Sequence, residues 1–141
     1  MSQVLEKFRL NGRRALITGS SGGIGLALAR ALGQAGATLI LNGRHTGKLQ
    51  AAAQALRAEG LSVSTAAFDV TDADRVREAV DQIEAEGPID ILVNNAGMQI
   101  RGPLHDYDDR DWRTIMKTNL DSVYFVGQSV AKKMIPRGRG K

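Results

Sequence analysis

The chain has 141 residues, of which 43% are hydrophobic and 24% charged, a composition typical of one globular domain with its own core. It contains no cysteine, which excludes disulfide bonds, thiolate metal sites and cysteine nucleophiles, and makes the cytoplasm the expected location. The formal net charge is +4, but the arginines are scattered rather than clustered, so no nucleic-acid partner is expected.

Strand-like apolar runs alternate with helical periodicity from the start of the chain. Residues 15–17 predict a first strand. The apolar recurrence that includes Ile24 and Leu28 predicts a helix that buries this stripe and stops at Gly36. Residues 38–41 are apolar without alternation, which is typical of a parallel strand covered on both faces.

The same alternation continues in the middle of the chain. Thr46 is expected to cap a second helix, which ends near Gly60, where a left-handed cap belongs. Residues 62–70 predict a third strand. Asp72 is expected to cap the next helix, and Gly87 with the proline after it ends that helix.

One more strand and one long helix are predicted in the last third. Residues 89–93 form the fourth apolar run, and a loop follows at 94–107. Asp108 or Asp109 is expected to start a helix that ends near Pro136. Its apolar stripe is expected to face the core, and consists of Trp112, Ile115, Met116, Leu120, Val123 and Val126.

Alternating strands and helices with short connections imply right-handed crossovers and a parallel sheet between two helical layers. The expected fold is α/β, a doubly wound parallel sheet that extends as far as the fourth strand and its following helix. No linker interrupts the pattern, so residues 1–141 are expected to form one domain.

The sequence TGSSGGIG at residues 18–25 lies between the first strand and the first helix. A dinucleotide pyrophosphate needs exposed backbone N–H groups and a helix N-terminus, and bulky side chains would hold it away. The spacing differs from G-x-G-x-x-G, yet its position after a strand and before a helix favours a Rossmann-type dinucleotide site. The expected cofactor contacts in this turn are Gly19, Ser20, Ser21, Gly23, Ile24 and Gly25.

Two other uses of such a turn fit less well. Glycines also permit turns that bind nothing. A phosphate-binding loop of an NTPase needs a lysine followed by serine or threonine, whereas this turn closes with Ile24, Gly25 and Leu26.

The end of the second strand is expected to meet the adenosine ribose of the cofactor. An acid there selects NAD through the 2′-hydroxyl, and a cation selects NADP through its phosphate. This chain has Asn42, Gly43 and Arg44 at that point, with no acid among them. Arg44 can bind a phosphate through two N–H groups, and Ser21 can add a hydroxyl. We therefore predict NADP, with Asn42 and Arg44 in its site; the alternative is that Arg44 is a solvated loop arginine.

Residues 18–25, together with Asn94, Asn95, Ala96 and Gly97, resemble the TGxxxGxG and NNAG patterns of the short-chain dehydrogenase/reductase family. The resemblance covers essentially the whole chain. It implies an oxidoreductase that transfers hydride to or from a nicotinamide cofactor. The further cofactor contacts that it implies are Asp69, Val70, Asn95, Ala96 and Gly97.

The resemblance also concerns the catalytic residues. Asn119 matches the asparagine of the family's catalytic tetrad, and its poor helix propensity suggests a kink or a water site there. The other members are a serine and a Tyr-x-x-x-Lys pair, but neither Tyr107 nor Tyr124 has a lysine four residues later. The family's fifth strand would begin near Lys141. We therefore expect an amino-terminal part of a longer enzyme, inactive alone, with an exposed edge on its fourth strand.

Residues 97–101, with Pro103, Leu104 and Trp112, most resemble the gluconate 5-dehydrogenases of the family, which act on gluconate and 5-ketogluconate. The expected substrate is a sugar acid or a polyol, and Arg101 is the expected partner of a sugar acid's carboxylate, unless it is only a surface arginine. The competing subfamily is the 3-oxoacyl-acyl-carrier-protein reductases, whose acidic carrier would suit a basic surface. The alternative class is a cofactor-binding module without turnover.

Other constellations predict no further ligands. The acidic residues at 106–111 lack the glycine and glutamate of a calcium loop, and His45 and His105 have no partner at ligand spacing, so no metal is expected. No window approaches about 18 consecutive apolar residues, so no membrane partner is expected. The resemblance implies a homo-oligomer, a dimer or tetramer, that packs through the last helix.

Overall fold

Four parallel strands form the centre of the fold in the computed structural model, which describes residues 3–141. The strands are β1 Arg14–Ile17, β2 Thr38–Gly43, β3 Val63–Ala67 and β4 Ile91–Val93. Their order across the sheet is β3-β2-β1-β4, so the chain moves outward from β1 to β3 and then crosses to the other side of β1. This reversal beside β1 is the switch point of a doubly wound sheet, and the predicted fold class is confirmed.

Six α-helices connect and flank the strands in the described residues. They are α1 Gln3–Glu6, α2 Gly23–Gln34, α3 Thr46–Ala58, α4 Ala73–Glu86, α5 Asp109–Met116 and α6 Ser122–Arg137. A short 3₁₀ turn at Leu104–Asp106 precedes α5, and a π-helical turn at Lys117–Asp121 joins α5 to α6. The single long helix predicted from the sequence is therefore interrupted by a wider turn.

Each face of the sheet is covered by its own apolar layer. On one face α2 and α3 pack on Ala15, Ile17, Leu39 and Leu41. On the other face α4 and α6 pack on Leu16 and Ile40. Because successive side chains of a strand point to opposite faces, strands covered on both sides are apolar on consecutive residues, as 15–17 of β1 and 39–41 of β2 are.

The predicted helix ends are confirmed at several positions and wrong at one. The Asp72 carboxylate caps α4 by accepting hydrogen bonds from two backbone N–H groups at 3.1 Å. Asp108 caps α5, and Gly60 follows α3 with a left-handed φ of 84°. Thr46 is not a cap, because α3 begins at this residue and His45 occupies the cap position without a side-chain hydrogen bond.

The apolar stripe predicted for α2 is only partly buried. Ile24 is 75% exposed and Leu28 is 40% exposed, because α2 instead buries the small residues Gly25, Ala29 and Gly33 against the sheet. A Cβ on Gly33 would lie 2.9 Å from the Leu39 Cδ1, so the close packing leaves no room for a side chain at that position, whereas Leu26 and Leu32 pack at the border of the same layer.

The start of the last helical segment is also more exposed than predicted. Trp112 is 56% exposed, Leu120 and Val123 are exposed, and α5 has no buried residue. Within this segment only α6 reaches the core, through Val126 and Val130, and the π turn separates it from α5.

The outer edge of β4 is partly covered by the backbone of Lys141. The Lys141 N–H donates to the Asp90 carbonyl at 3.0 Å, and the Leu92 N–H donates to the Lys141 carbonyl at 2.8 Å. This pair of bonds brackets Ile91 in the parallel pattern. The expectation of a bare edge on β4 is therefore wrong at this point.

The fully buried Leu16 is expected to carry much of the core's stability. Leu16→Ala should lower the free energy of unfolding by about 2–5 kcal/mol, because the lost contacts leave a cavity. Leu104 is 95% exposed, and Leu104→Ala is the matched control, with an expected change within about 0.5 kcal/mol. Urea unfolding followed by circular dichroism measures both, and equal losses would contradict this assignment of the core.

Candidate functional site

The glycine turn between β1 and α2 is packed directly against the segment that follows β4. Gly19 and Gly23 have φ values of 62° and 55°, which favour glycine. A Cβ on Gly19 would lie 2.8 Å from the Ala96 Cα, and a Cβ on Gly25 would lie 2.5 Å from the Asn95 Nδ2. Close approach of backbones therefore requires glycine at both positions.

Hydrogen bonds join the glycine turn to the Asn-Asn-Ala-Gly segment. The Thr18 Oγ1 accepts from the backbone N–H groups of Asn95 and Ala96, each at 3.0 Å. The Asn95 Nδ2 donates to the carbonyls of Thr18 at 3.0 Å and Gly19 at 3.1 Å. The two motifs are thus one structural unit. Thr18 opens the TGSSGGIG sequence, but its partners lie far along the chain, so its linking role was not predicted from the sequence.

Buried polar groups support the turn from the side of β2. The Ser20 hydroxyl donates to the Ile17 carbonyl at 2.7 Å and accepts from the Asn42 N–H at 3.0 Å. The Asn42 Oδ1 accepts from the Gly19 N–H at 3.2 Å, while its Nδ2 donates to the Phe68 carbonyl at 3.1 Å. Asn42 thus ties the ends of β2 and β3 to the turn.

A cavity of about 450 Å³ opens above this framework, at the carboxyl ends of the strands. The predicted site residues that line it are Gly19, Ser21, Ile24, Gly25, Asn42, Arg44, Asp69, Val70, Asn95, Ala96 and Gly97. Lining residues that were not predicted are Gly22, Gly43, His45, Phe68, Thr71, Met98 and Thr118. The predicted residues Ser20, Gly23, Arg101 and Asn119 do not line it.

Arg44 lies at the rim of the cavity with its side chain exposed. It takes part in none of the ion pairs formed within residues 3–141. Ser21 is close by, because a Cβ on Gly43 would lie 3.3 Å from the Ser21 Oγ. Ser21 and Arg44 therefore both line the cavity near the end of β2.

Asp69 is the acidic group of the cavity. Partial burial acts to raise the pKa of its carboxyl, but hydrogen bonds from the Thr71 N–H and hydroxyl, both at 2.8 Å, outweigh that effect. The positive charges of Arg44 and Lys117 act in the same direction, so the pKa of Asp69 is lowered. Asp69 is therefore an ionised hydrogen-bond acceptor at neutral pH.

Asn119 lies in the π turn, as its predicted kink requires. Its Oδ1 accepts from the Met98 N–H at 2.8 Å, and its Nδ2 donates to the Met98 carbonyl at 2.9 Å. Both atoms of the side-chain amide are thus used to hold the backbone just after Gly97. Asn119 is therefore a clamp between the π turn and the cavity wall.

Arg101 extends from the loop that follows this clamp. Its Nε and Nη2 donate to the Gln99 Oε1 at 3.2 and 3.0 Å. The Tyr107 hydroxyl donates to the Ile100 carbonyl at 2.5 Å, and this bond anchors the backbone between Gln99 and Arg101.

Comparison with known proteins agrees with this arrangement. The family model described as short chain dehydrogenase matches residues 13–141. The chain belongs to the short-chain dehydrogenase/reductase family. The resemblance suggested by the two sequence motifs is thereby confirmed.

Several relatives within the short-chain dehydrogenase/reductase family are named for sugar acids. A gluconate 5-dehydrogenase of Gluconobacter oxydans is 56% identical over 137 residues, which are 96% of this chain and 54% of that protein. A 5-keto-D-gluconate 5-reductase of Escherichia coli K12 is 40% identical over 137 residues, with shares of 96% and 54%.

A solved structure within the family is similar as well. The gluconate 5-dehydrogenase from Burkholderia cenocepacia, in complex with NADP and tartrate, is 51% identical with a TM-score of 0.94. The match covers 98% of this chain and 55% of that one. The chain thus spans about half the length of the relatives that it matches.

Other kinds of site are not found in the described residues. Residues 3–141 contain no group of three or more histidine or acidic side chains that could hold a metal ion. No helix in the described part of the chain is long and apolar enough to cross a membrane.

Gly25 is expected to be essential for the packing of the turn. Gly25→Ala should lower the free energy of unfolding by about 1–3 kcal/mol, because the new methyl group collides with the Gly19 carbonyl and the Asn95 amide. Gly47→Ala on α3 is the matched control, since its Cβ would meet no atom within 4 Å. Urea unfolding compares the two variants, and a Gly25→Ala protein as stable as the control would contradict the close contact.

Proposed function

We propose that the protein is an NADP-dependent oxidoreductase that interconverts D-gluconate and 5-keto-D-gluconate. The main support is the cavity at the switch point of the sheet, where the glycine turn, Arg44 and Asn95 lie together. A nicotinamide cofactor, when bound, supplies or accepts the hydride of such a reaction. The names of the Gluconobacter and Escherichia relatives support gluconate and its keto form as substrates.

The glycine turn fits the pyrophosphate of a dinucleotide. The cap position of α2 is Gly22, which has no side chain to bond the first N–H groups of the helix. Those donors and the positive end of the helix dipole are left for an anion. We assign Gly19 and Ile24, which line the cavity, to the backbone that faces the pyrophosphate, and Gly23 to the left-handed turn that starts the helix.

Arg44 and Ser21 support the choice of NADP over NAD. A guanidinium can hold a phosphate through two N–H groups, and the hydroxyl of Ser21 adds a third donor. The nearest acid of the cavity, Asp69, already accepts two hydrogen bonds from Thr71, which fix its carboxylate in place. We assign Asp69 and Val70 to the adenine side of the cofactor.

The segment after β4 is assigned to the remaining part of the cofactor and to the reacting groups. Asn95, Ala96 and Gly97 form the cavity wall, and Asn119 sets the position of that wall through Met98. We propose that Asn119 contributes to catalysis by this clamp, as a positioning residue. A side chain that hydrogen-bonds both the backbone N–H and the backbone carbonyl of one residue holds a loop more firmly than a single hydrogen bond does.

Arg101 is proposed to bind the carboxylate of the sugar acid. It is exposed on the loop that continues from the cavity wall, so its guanidinium is accessible to a solute. Arginine pairs with a carboxylate through two parallel hydrogen bonds, which gives orientation as well as affinity. A neutral polyol has no group that would use this pair.

Residues 1–141 are proposed to be one NADP-binding domain that does not turn over substrate by itself. Within them neither tyrosine is followed four residues later by a lysine, the pair that the family uses to move the proton. Exposed apolar side chains recur along α5, the π turn and α6, which supports assembly into a homodimer or homotetramer. These side chains are Trp112, Leu120, Val123 and Tyr124.

Arg44 is expected to select NADPH over NADH. Arg44→Ala should weaken NADPH binding by about tenfold or more, because a charge-assisted hydrogen bond to the phosphate is lost. NADH binding should change little. Fluorescence titration with each reduced dinucleotide measures both affinities.

The control is Arg75→Ala, which removes an exposed arginine of α4 that pairs with Glu78 and leaves the cavity unchanged. It should leave both affinities as they are. Equal weakening of NADH and NADPH by Arg44→Ala would rule out a phosphate contact.

The substrate is tested with the protein purified at its natural full length. It should oxidise D-gluconate with NADP, whereas residues 1–141 alone should bind NADPH without turnover. Formation of NADPH measures the reaction. Reduction of a 3-oxoacyl thioester without any activity on gluconate would instead favour the acyl-carrier-protein reductases.

A further inference from the structure

The loop between β4 and α5 is held to the rest of the protein at two backbone positions. Both polar groups of the Met98 backbone are bonded to the Asn119 side chain. The Ile100 carbonyl accepts from the Tyr107 hydroxyl at 2.5 Å, and a Cβ on Gly102 would lie 3.0 Å from the Tyr107 ring. Gln99 and Arg101 alternate with the anchored residues Met98 and Ile100, so their side chains project from a fixed stretch of backbone.

The Arg101 guanidinium is held along one of its edges. Its Nε and Nη2 both donate to the Oε1 of Gln99, at 3.2 and 3.0 Å. A guanidinium carries five N–H donors, so the opposite edge, formed by Nη1 and the second N–H of Nη2, points away from Gln99. That edge has the geometry of a two-pronged carboxylate site. Both side chains are exposed, so a solute can reach it.

We propose that Gln99 is a positioning residue that orients Arg101 toward the substrate carboxylate and thereby favours sugar acids over neutral polyols. This inference rests on the proposed function, in which Arg101 binds that carboxylate. A free arginine loses much side-chain freedom when it binds a ligand, and an internal acceptor reduces that loss beforehand.

The amide of Gln99 suits this role better than a carboxylate would. A neutral acceptor holds the guanidinium without compensating its charge, so the full attraction for a ligand anion remains. A glutamate at the same place would form an ion pair with Arg101 and compete with the substrate. The pair Gln99→Ala and Gln99→Glu therefore separates loss of orientation from loss of charge.

The test measures D-gluconate binding by calorimetry on the protein at its natural full length, saturated with NADPH, because NADPH cannot accept a hydride from D-gluconate and binding is then measured without turnover. Gln99→Ala should weaken D-gluconate binding roughly threefold to tenfold, the effect of one lost hydrogen-bonding partner. Gln99→Glu should weaken it further. In an Arg101→Ala background, Gln99→Ala should have no additional effect, because nothing remains for Gln99 to orient.

The control is Gln54→Ala, which removes an exposed glutamine of α3 and should leave D-gluconate binding unchanged. NADPH affinity should be the same in all variants. A Gln99→Ala effect that persists in the Arg101→Ala background, or that extends to NADPH, would overturn the inference and leave the proposed function standing. A wild-type protein that binds NADPH but no D-gluconate would overturn both.

Discussion

The contact between the glycine turn and the end of β4 is the constraint on which the site depends. Gly25 leaves no space for a side chain, and the Asn95 amide occupies the position where a methyl group would lie. The same amide binds two carbonyls of the turn, and Thr18 binds the backbone in return. Strands that are neighbours in the sheet, but far apart in sequence, are thereby locked at the level of their carboxyl ends.

This lock determines how α2 can pack. A helix that begins with its backbone against a neighbouring loop must keep small residues on its inner face, which here are Gly25, Ala29 and Gly33. Ile24 and Leu28 turn outward, and Ile24 reaches the cavity instead of the core.

Periodicity and turn residues predicted the fold well because each reports a local cause. Residues 15–17 of β1 and 39–41 of β2 are all apolar since both faces of the sheet are covered there, and Asp72 and Gly60 act through their own backbone neighbours. The exposure of Ile24 and Trp112 could not be predicted from periodicity, because a pattern of apolar residues does not indicate how closely a helix approaches the sheet. The same limit hid the role of Thr18, whose partners lie about 77 residues away.

The two sides of the site are built on different physical principles. The side proposed to bind the cofactor consists of bare backbone and buried amides and hydroxyls, such as Asn42 and Ser20, whose hydrogen bonds lie within the protein. Its shape follows from packing and leaves little scope for variation. The side that carries Arg101 is an exposed loop, anchored through Met98 and Ile100 but free in its outward side chains. Binding residues are disproportionately found on such loops, held by a rigid scaffold. On the proposed function, a change in substrate specificity then requires different side chains at the exposed positions beside Met98 and Ile100. A change in cofactor specificity requires different residues at the end of β2.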